Sequence, residues 1–151
     1  MKKPFALICA AFLLSCGNSF ATDAPHFTFP VACVLGENCI IQNYVDHDPG
    51  PGWLDFTCGA MSYDGHDGTD IRIPSLAAQR NGVGVLSVAD GTVLRTRMDL
   101  PDRPTLDEGP ESDPRACGNG LVIDHGNGYR TRYGHMQKLY VVIGQTVSRG
   151  S

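Results

Sequence analysis

Gly120-Leu121-Val122-Ile123-Asp124-His125-Gly126-Asn127-Gly128-Tyr129-Arg130-Thr131-Arg132-Tyr133-Gly134-His135-Met136 holds two short runs rich in Val, Ile, Thr and Tyr on either side of a Gly-Asn-Gly turn. Apolar and polar residues alternate along each run, the period of a half-buried strand, and the turn tripeptide joins antiparallel neighbours. The same pattern recurs outward from this hairpin. Runs at 69–73, 83–88, 92–97, 121–125, 129–133 and 140–143 read as strands, and Asp90-Gly91 reads as a second hairpin turn joining the run at 83–88 to that at 92–97. Gly and Pro punctuate the chain and helical periodicity is scarce, so the predicted fold class is mainly β, an antiparallel sheet or sandwich with an open groove. Residues 140–150 read as a strand, a Gly turn and the start of another strand, so the sheet is expected to be incomplete at its C-terminal end.

Residues 98–116 break the pattern: four prolines, six acids and two arginines without periodicity. A loop this long is functional or a solvated insertion. At the other end, residues 1–21 carry two lysines, an apolar run of about ten residues and then small polar residues, the layout of a secretory signal. That run is half the ~20 residues a membrane-crossing helix requires, and no transmembrane segment is expected elsewhere. Two processing sites compete. Ser19-Phe20-Ala21 suits soluble export, whereas Leu13-Leu14-Ser15-Cys16 suits lipid attachment at Cys16 and a membrane anchor. The expected organisation is a signal over 1–21, an N-terminal extension over 22–57 and one domain over 58–151 that contains the acidic loop.

Twelve basic and sixteen acidic residues are present; without Lys2 and Lys3 of the signal the balance is 10 − 16 = −6, which argues against a nucleic-acid partner. Four cysteines follow the signal, Cys33, Cys39, Cys58 and Cys117, an even number in an exported chain where disulfides persist. Three connectivities are open; the favoured one joins Cys33 to Cys39 in a short local loop and leaves Cys58 with Cys117. The alternative, a zinc site made of all four, lacks the paired short spacings of a zinc ribbon.

His66 and Asp70 are four apart in Gly65-His66-Asp67-Gly68-Thr69-Asp70, so an extended backbone aims both side chains to one face. Imidazole nitrogen and carboxylate oxygen both bind Zn²⁺, and the intervening glycine lets the backbone bend to bring them together. The competing reading is a hydrogen-bonded turn. His135 ends the second strand of the hairpin, where an imidazole can act as acid or base.

Three motifs in order, Gly65-His66-Asp67-Gly68-Thr69-Asp70, Val88-Ala89-Asp90-Gly91-Thr92-Val93 and the hairpin at 120–136, resemble the lysostaphin-type zinc metalloendopeptidases, which hydrolyse bacterial peptidoglycan. Val141, Gly144, Val147 and Gly150 are similar to that family's closing motif, and the resemblance runs from Asp64 to Gly150. It implies that His66 and Asp70 are zinc ligands, that His135 is the first of two catalytic histidines, and that the partner is the peptidoglycan of the cell envelope, periplasmic or extracellular. It gives no metal role to Asp67 or His125, and His26 and His47 are expected to be solvated. The family's third ligand and second catalytic histidine come from a downstream His-x-His that these residues do not include. The expectation is therefore a fragment or degenerate relative, inactive in this form. The alternatives are a non-catalytic wall-binding or hydrolase-activating module, and a lipoyl-type carrier domain, which lacks the lysine its hairpin turn needs.

Overall fold

The computed structural model describes residues 24–101 and 117–151; the signal, Cys16 and residues 102–116 of the acidic loop lie outside the described residues. The elements run β1 (Ile40–Asn43), β2 (Asp70–Arg72), α1 (Leu76–Asn81), β3 (Gly91–Arg97), β4 (Gly120–Asp124), β5 (Arg130–Tyr133) and β6 (Thr146–Val147). The fold is mainly β and antiparallel. A four-stranded sheet has the order β5-β4-β3-β6, and β1 pairs with β2 in a separate two-stranded sheet.

The β4–β5 hairpin forms as the alternation predicts. Leu121 faces Tyr133 and Asp124 faces Arg130, so Leu121, Ile123 and Tyr133 turn inward together. Gly126, Asn127 and Gly128 all adopt positive φ, and Tyr129 N–H closes the turn on the Gly126 carbonyl at 2.9 Å. Glycine flanks are what permit three successive left-handed residues. Val93 of β3 completes the buried cluster, with Val88, Met136, Leu139, Val141 and Val147 partly covering it.

Asp90-Gly91 does not form the expected hairpin. Residues 83–88 pair instead with the segment before β1: Val85 bridges Val31, Leu86 N–H bonds the Pro30 carbonyl and Ala32 N–H the Gly84 carbonyl. Asp90 is held in other directions, its carboxylate taking the Arg149 N–H at 2.7 Å and its carbonyl the His125 ring at 2.8 Å. Gly91 then opens β3 where a side chain would strike Ile123 and the Asp124 carbonyl. The expected strand at 140–143 is also absent. Gly144 and Gln145 exchange backbone bonds with Val93, while Gln145 turns back on Val142 through both its N–H and its side chain, so Tyr140, Val142 and Ile143 stay exposed.

Two elements escape sequence periodicity because they are short. In α1, six residues long, Ser75 caps the start by accepting from Ala78 N–H and Gly82 ends it at φ 82°. β1 falls in the N-terminal extension and finds its partner in β2, beyond residue 57.

Cys33 and Cys39 are joined by a disulfide, as expected. Cys58 and Cys117 are not: both are free thiols. Pairing by elimination failed because the two lie in unrelated turns. Cys58 sits at φ 61° in the turn closed by the Asp55 carbonyl, whereas Cys117 lies at the foot of β4, its carbonyl taken by His135 N–H.

Two outcomes follow from the packing. Tyr133 Oη accepts from Val88 N–H at 2.9 Å and meets Thr131 Oγ1 at 3.1 Å. Tyr133→Phe strands that amide and is expected to cost about 1–3 kcal/mol in denaturant unfolding. Asp55, almost fully buried, accepts from the Thr57 hydroxyl and from Gly59, Thr57 and Met61 N–H, which lower its carboxyl from 3.8 to about 2. A depressed folded-state pKa stabilises above the unfolded value, and that contribution is lost as pH falls from about 4 toward about 2. Acid titration of the unfolding midpoint is expected to fall across that window and to flatten in Asp55→Asn.

Candidate functional site

The end of β1 builds the site. Register places Asn43 opposite Asp70, and the Asn43 side-chain amide donates to Asp70 Oδ2 at 2.9 Å. The next residue, Tyr44, offers its carbonyl to His66 Nδ1 at 2.7 Å and to the Ser62 hydroxyl at 2.8 Å. His66 is further seated by the Tyr63 ring, 4.3 Å away between centroids, and by backbone bonds to Tyr63 and Asp46. It is 8 % exposed, whereas the Asp70 side chain is 42 % exposed.

A carbonyl only accepts, so Nδ1 carries the proton and, in the neutral ring, Nε2 presents a lone pair. That lone pair faces Asp70 Oδ1 at 3.4 Å. Two acceptors held so close call for a proton or a cation between them. Ligands at about 2.0–2.2 Å from a tetrahedral Zn²⁺ stand roughly 3.3–3.6 Å apart, and the 3.4 Å gap falls inside that range. A carbonyl on the distal imidazole nitrogen and an amide on the carboxylate are also the outer partners that metal ligands use. The pair fits a zinc ion. Among the described residues no group of three or more His, Cys, Asp or Glu side chains could hold a metal ion together.

His135 is positioned by a different element. It follows β5 at φ 55°, a left-handed backbone uncommon outside glycine, fixed by its N–H on the Cys117 carbonyl at 3.0 Å and by Met136 N–H on the Asn119 carbonyl at 2.9 Å. The Cys117–Gly120 segment fits beneath it because Gly118 and Gly120 have no side chains: a Cβ on Gly118 would come within 3.4 Å of His135 Nδ1, and one on Gly120 would collide with the Tyr133 carbonyl. The imidazole is exposed and, among the described residues, shares no hydrogen bond or ion pair with His66 or Asp70.

What links the two parts is a contact the sequence did not disclose. Arg132 of β5 chelates Asp67, the residue after His66, with Nη2 at 2.8 Å from each carboxylate oxygen. Asp67 in turn holds the guanidinium more firmly in its charged form. The turn bearing His66 is thereby tied to the strand that leads into His135. The charges lie 65 residues apart, too far for any local spacing rule to pair them.

The remaining histidines have other work. His125 spends both ring nitrogens within the fold, Nδ1 on the Asp90 carbonyl and Nε2 at 2.7 Å from the Thr131 hydroxyl. His26 is exposed and meets Arg149 Nη1 at 3.2 Å; His47 is exposed as well.

The model of peptidase family M23 matches residues 64–151, more than half of the chain and the region that carries His66, Asp70 and His135. This chain belongs to peptidase family M23. It is 40 % identical over 85 residues to the peptidoglycan DD-endopeptidase ShyA of Vibrio cholerae serotype O1, a match covering 56 % of this chain and 15 % of ShyA. The peptidoglycan DD-endopeptidase ShyB of the same organism is 38 % identical over the same shares of both chains. The chain thus spans about a sixth of the length of these relatives. No solved structure matches. Membership accounts for the β-rich architecture. The contacts of Asn43 and Tyr44 lie outside the matched region, so the frame that orients both candidate ligands is supplied from N-terminal of the family segment.

Arg132 and Asp67 are half and three-quarters exposed, and exposed pairs couple by about 0.2–1 kcal/mol. A double-mutant cycle of Arg132→Ala and Asp67→Ala, read by denaturant unfolding, is expected to return a coupling in that range that shrinks in high salt.

Proposed function

We propose that this protein is a zinc-dependent endopeptidase that hydrolyses peptide cross-links of bacterial peptidoglycan. The observation that carries the reading is the oriented pair, His66 Nε2 facing Asp70 Oδ1 at 3.4 Å with Nδ1 committed to the Tyr44 carbonyl. Membership of peptidase family M23 and likeness to two peptidoglycan DD-endopeptidases supply the reaction class and the substrate.

In this reading His66 Nε2 and an Asp70 oxygen hold the ion, and Tyr44 and Asn43 keep both aimed. When bound, Zn²⁺ supplies Lewis acidity toward the scissile carbonyl and acidifies a water. His135 moves a proton at Nε2, with Nδ1 turned toward Gly118, and its imidazole steadies the charge that develops on the carbonyl oxygen. Catalytic zinc takes three protein ligands, so the working site draws one more, which the family resemblance assigns to a His-x-His C-terminal to Gly150. Residues 1–21 direct the protein to the cell envelope, and cleavage before Cys16 in place of cleavage after Ala21 would leave it lipid-anchored.

The test is digestion of purified peptidoglycan by the chain carrying that His-x-His, together with zinc content by mass spectrometry. Chelator and His66→Ala are expected to abolish both cleavage and bound zinc. Asn43→Ala is expected to weaken zinc affinity about 10–100-fold without unfolding the protein. Cleavage that survives chelator would reject the metal mechanism.

A further inference from the structure

The segment between β1 and His66 exposes more aromatic surface than its own packing requires. Trp53 is 48 % exposed and Phe56 is 62 % exposed, with Leu54 and Met61 beside them in sequence also open to solvent. These side chains do not hang from a slack loop. Asp55, between them, is nearly buried and takes four hydrogen bonds; Leu54 N–H bonds Asp46 Oδ1 at 3.0 Å and the Leu54 carbonyl takes His47 N–H at 2.8 Å. Exposed aromatic side chains on a hydrogen-bonded frame are a contact surface that needs little ordering on binding.

The surface is continuous with the candidate metal pair. Phe56 packs edge-on to Tyr44 with ring centroids 4.8 Å apart, and Tyr44 carries the carbonyl that orients His66. Asp46, which anchors Leu54, also takes Gly65 N–H at 3.0 Å and gives its own N–H to the His66 carbonyl at 2.8 Å. A ligand held at Phe56 would therefore lie one residue contact, through Tyr44, from His66.

The chemistry of the patch selects its occupant. The carboxylates of Asp46 and Asp55 are occupied by backbone and hydroxyl donors, so neither is left free to draw a cationic partner. The acidic balance of the chain disfavours anionic partners. A pyranose ring presents a flat, apolar C–H face and carries its polar groups at the rim.

We propose that Trp53 and Phe56 form a stacking platform for the neutral N-acetylated amino-sugar strand of peptidoglycan, seating the glycan beside the peptide-cleaving groove. The platform rests on the reading of this site as a peptidoglycan endopeptidase but acts on a different part of the polymer. Trp53 is the sole tryptophan of the chain, so its emission reports occupancy directly.

The experiment titrates the chain, with chelator present, against soluble N-acetylglucosamine oligomers and separately against peptide stems free of sugar, following Trp53 emission and calorimetric heat. The expected result is saturable binding of the sugar oligomers, weakened about tenfold or more by Phe56→Ala and, in calorimetry, by Trp53→Ala, with circular dichroism unchanged. His66→Ala is expected to abolish cleavage and leave sugar binding intact, which separates the two proposals: an unsubstituted protein that binds sugar but does not cleave peptidoglycan rejects only the catalytic one. Absence of sugar binding, binding of peptide stems alone, or affinity indifferent to both substitutions overturns the platform. A concentration-dependent dimer abolished by Phe56→Ala, without sugar binding, overturns it equally and assigns the patch to a second copy.

Discussion

The hydrogen bond from His66 Nδ1 to the Tyr44 carbonyl is the constraint from which the site is built. It selects the tautomer, buries the ring and turns Nε2 toward Asp70. Tyr44 can make it because β1 ends one residue earlier, and Asn43, the last residue of that strand, reaches the carboxylate partner at the same time. One strand end thus orients both a nitrogen and an oxygen donor, and the strand pairing sets their spacing to 3.4 Å. Without β1 the His66 turn would keep its own local bond to Tyr63 and lose its aim.

The architecture divides the labour between two small sheets. The four-stranded sheet holds the core of Val93, Leu121, Ile123 and Tyr133 and ends in the constrained backbone of His135. The two-stranded sheet holds no comparable core, and its neighbouring turns are organised by carboxylates instead: Asp46, Asp48 and Asp55 each accept backbone N–H groups that no strand partner satisfies. Short carboxyl side chains can cap several amides at once, which suits a segment whose large apolar side chains stay exposed. Asp67 and Arg132 then tie the one part to the other across the face that carries the candidate groups.

Much of the four-stranded sheet was legible because its hairpin joins a period of two to an unambiguous turn, and β3, β4 and β5 lie within a residue of the runs that alternation marks. What failed did so for physical reasons. Asp90-Gly91 has the composition of a hairpin turn, yet its carbonyl and carboxylate are claimed by His125 and Arg149, partners 35 and 59 residues away. Val141-Val142-Ile143 has strand propensity, but backbone pairing to Val93 begins only at Gly144. Cys58 and Cys117 satisfied arithmetic and not geometry. That His66 and Asp70 come together was readable from a spacing of four. The residues that orient them were not, since Asn43 and Tyr44 lie 27 and 22 positions from their partners and look like ordinary strand and turn residues.

His66 and His125 show where reading by residue type must stop. Both rings give Nδ1–H to a backbone carbonyl, and both are tied to a neighbouring strand. Their difference is the group facing Nε2. At His125 it is the Thr131 hydroxyl, which can donate or accept and also meets the Tyr133 hydroxyl, so Nε2 faces a group able to satisfy a neutral ring. At His66 it is a carboxylate, which only accepts, so the pair is completed by a proton on Nε2 or by a cation between the two groups. A histidine whose hydrogen bonds close is a strut. One whose second nitrogen faces a carboxylate is a candidate ligand, and that distinction rests on the partner of a single nitrogen.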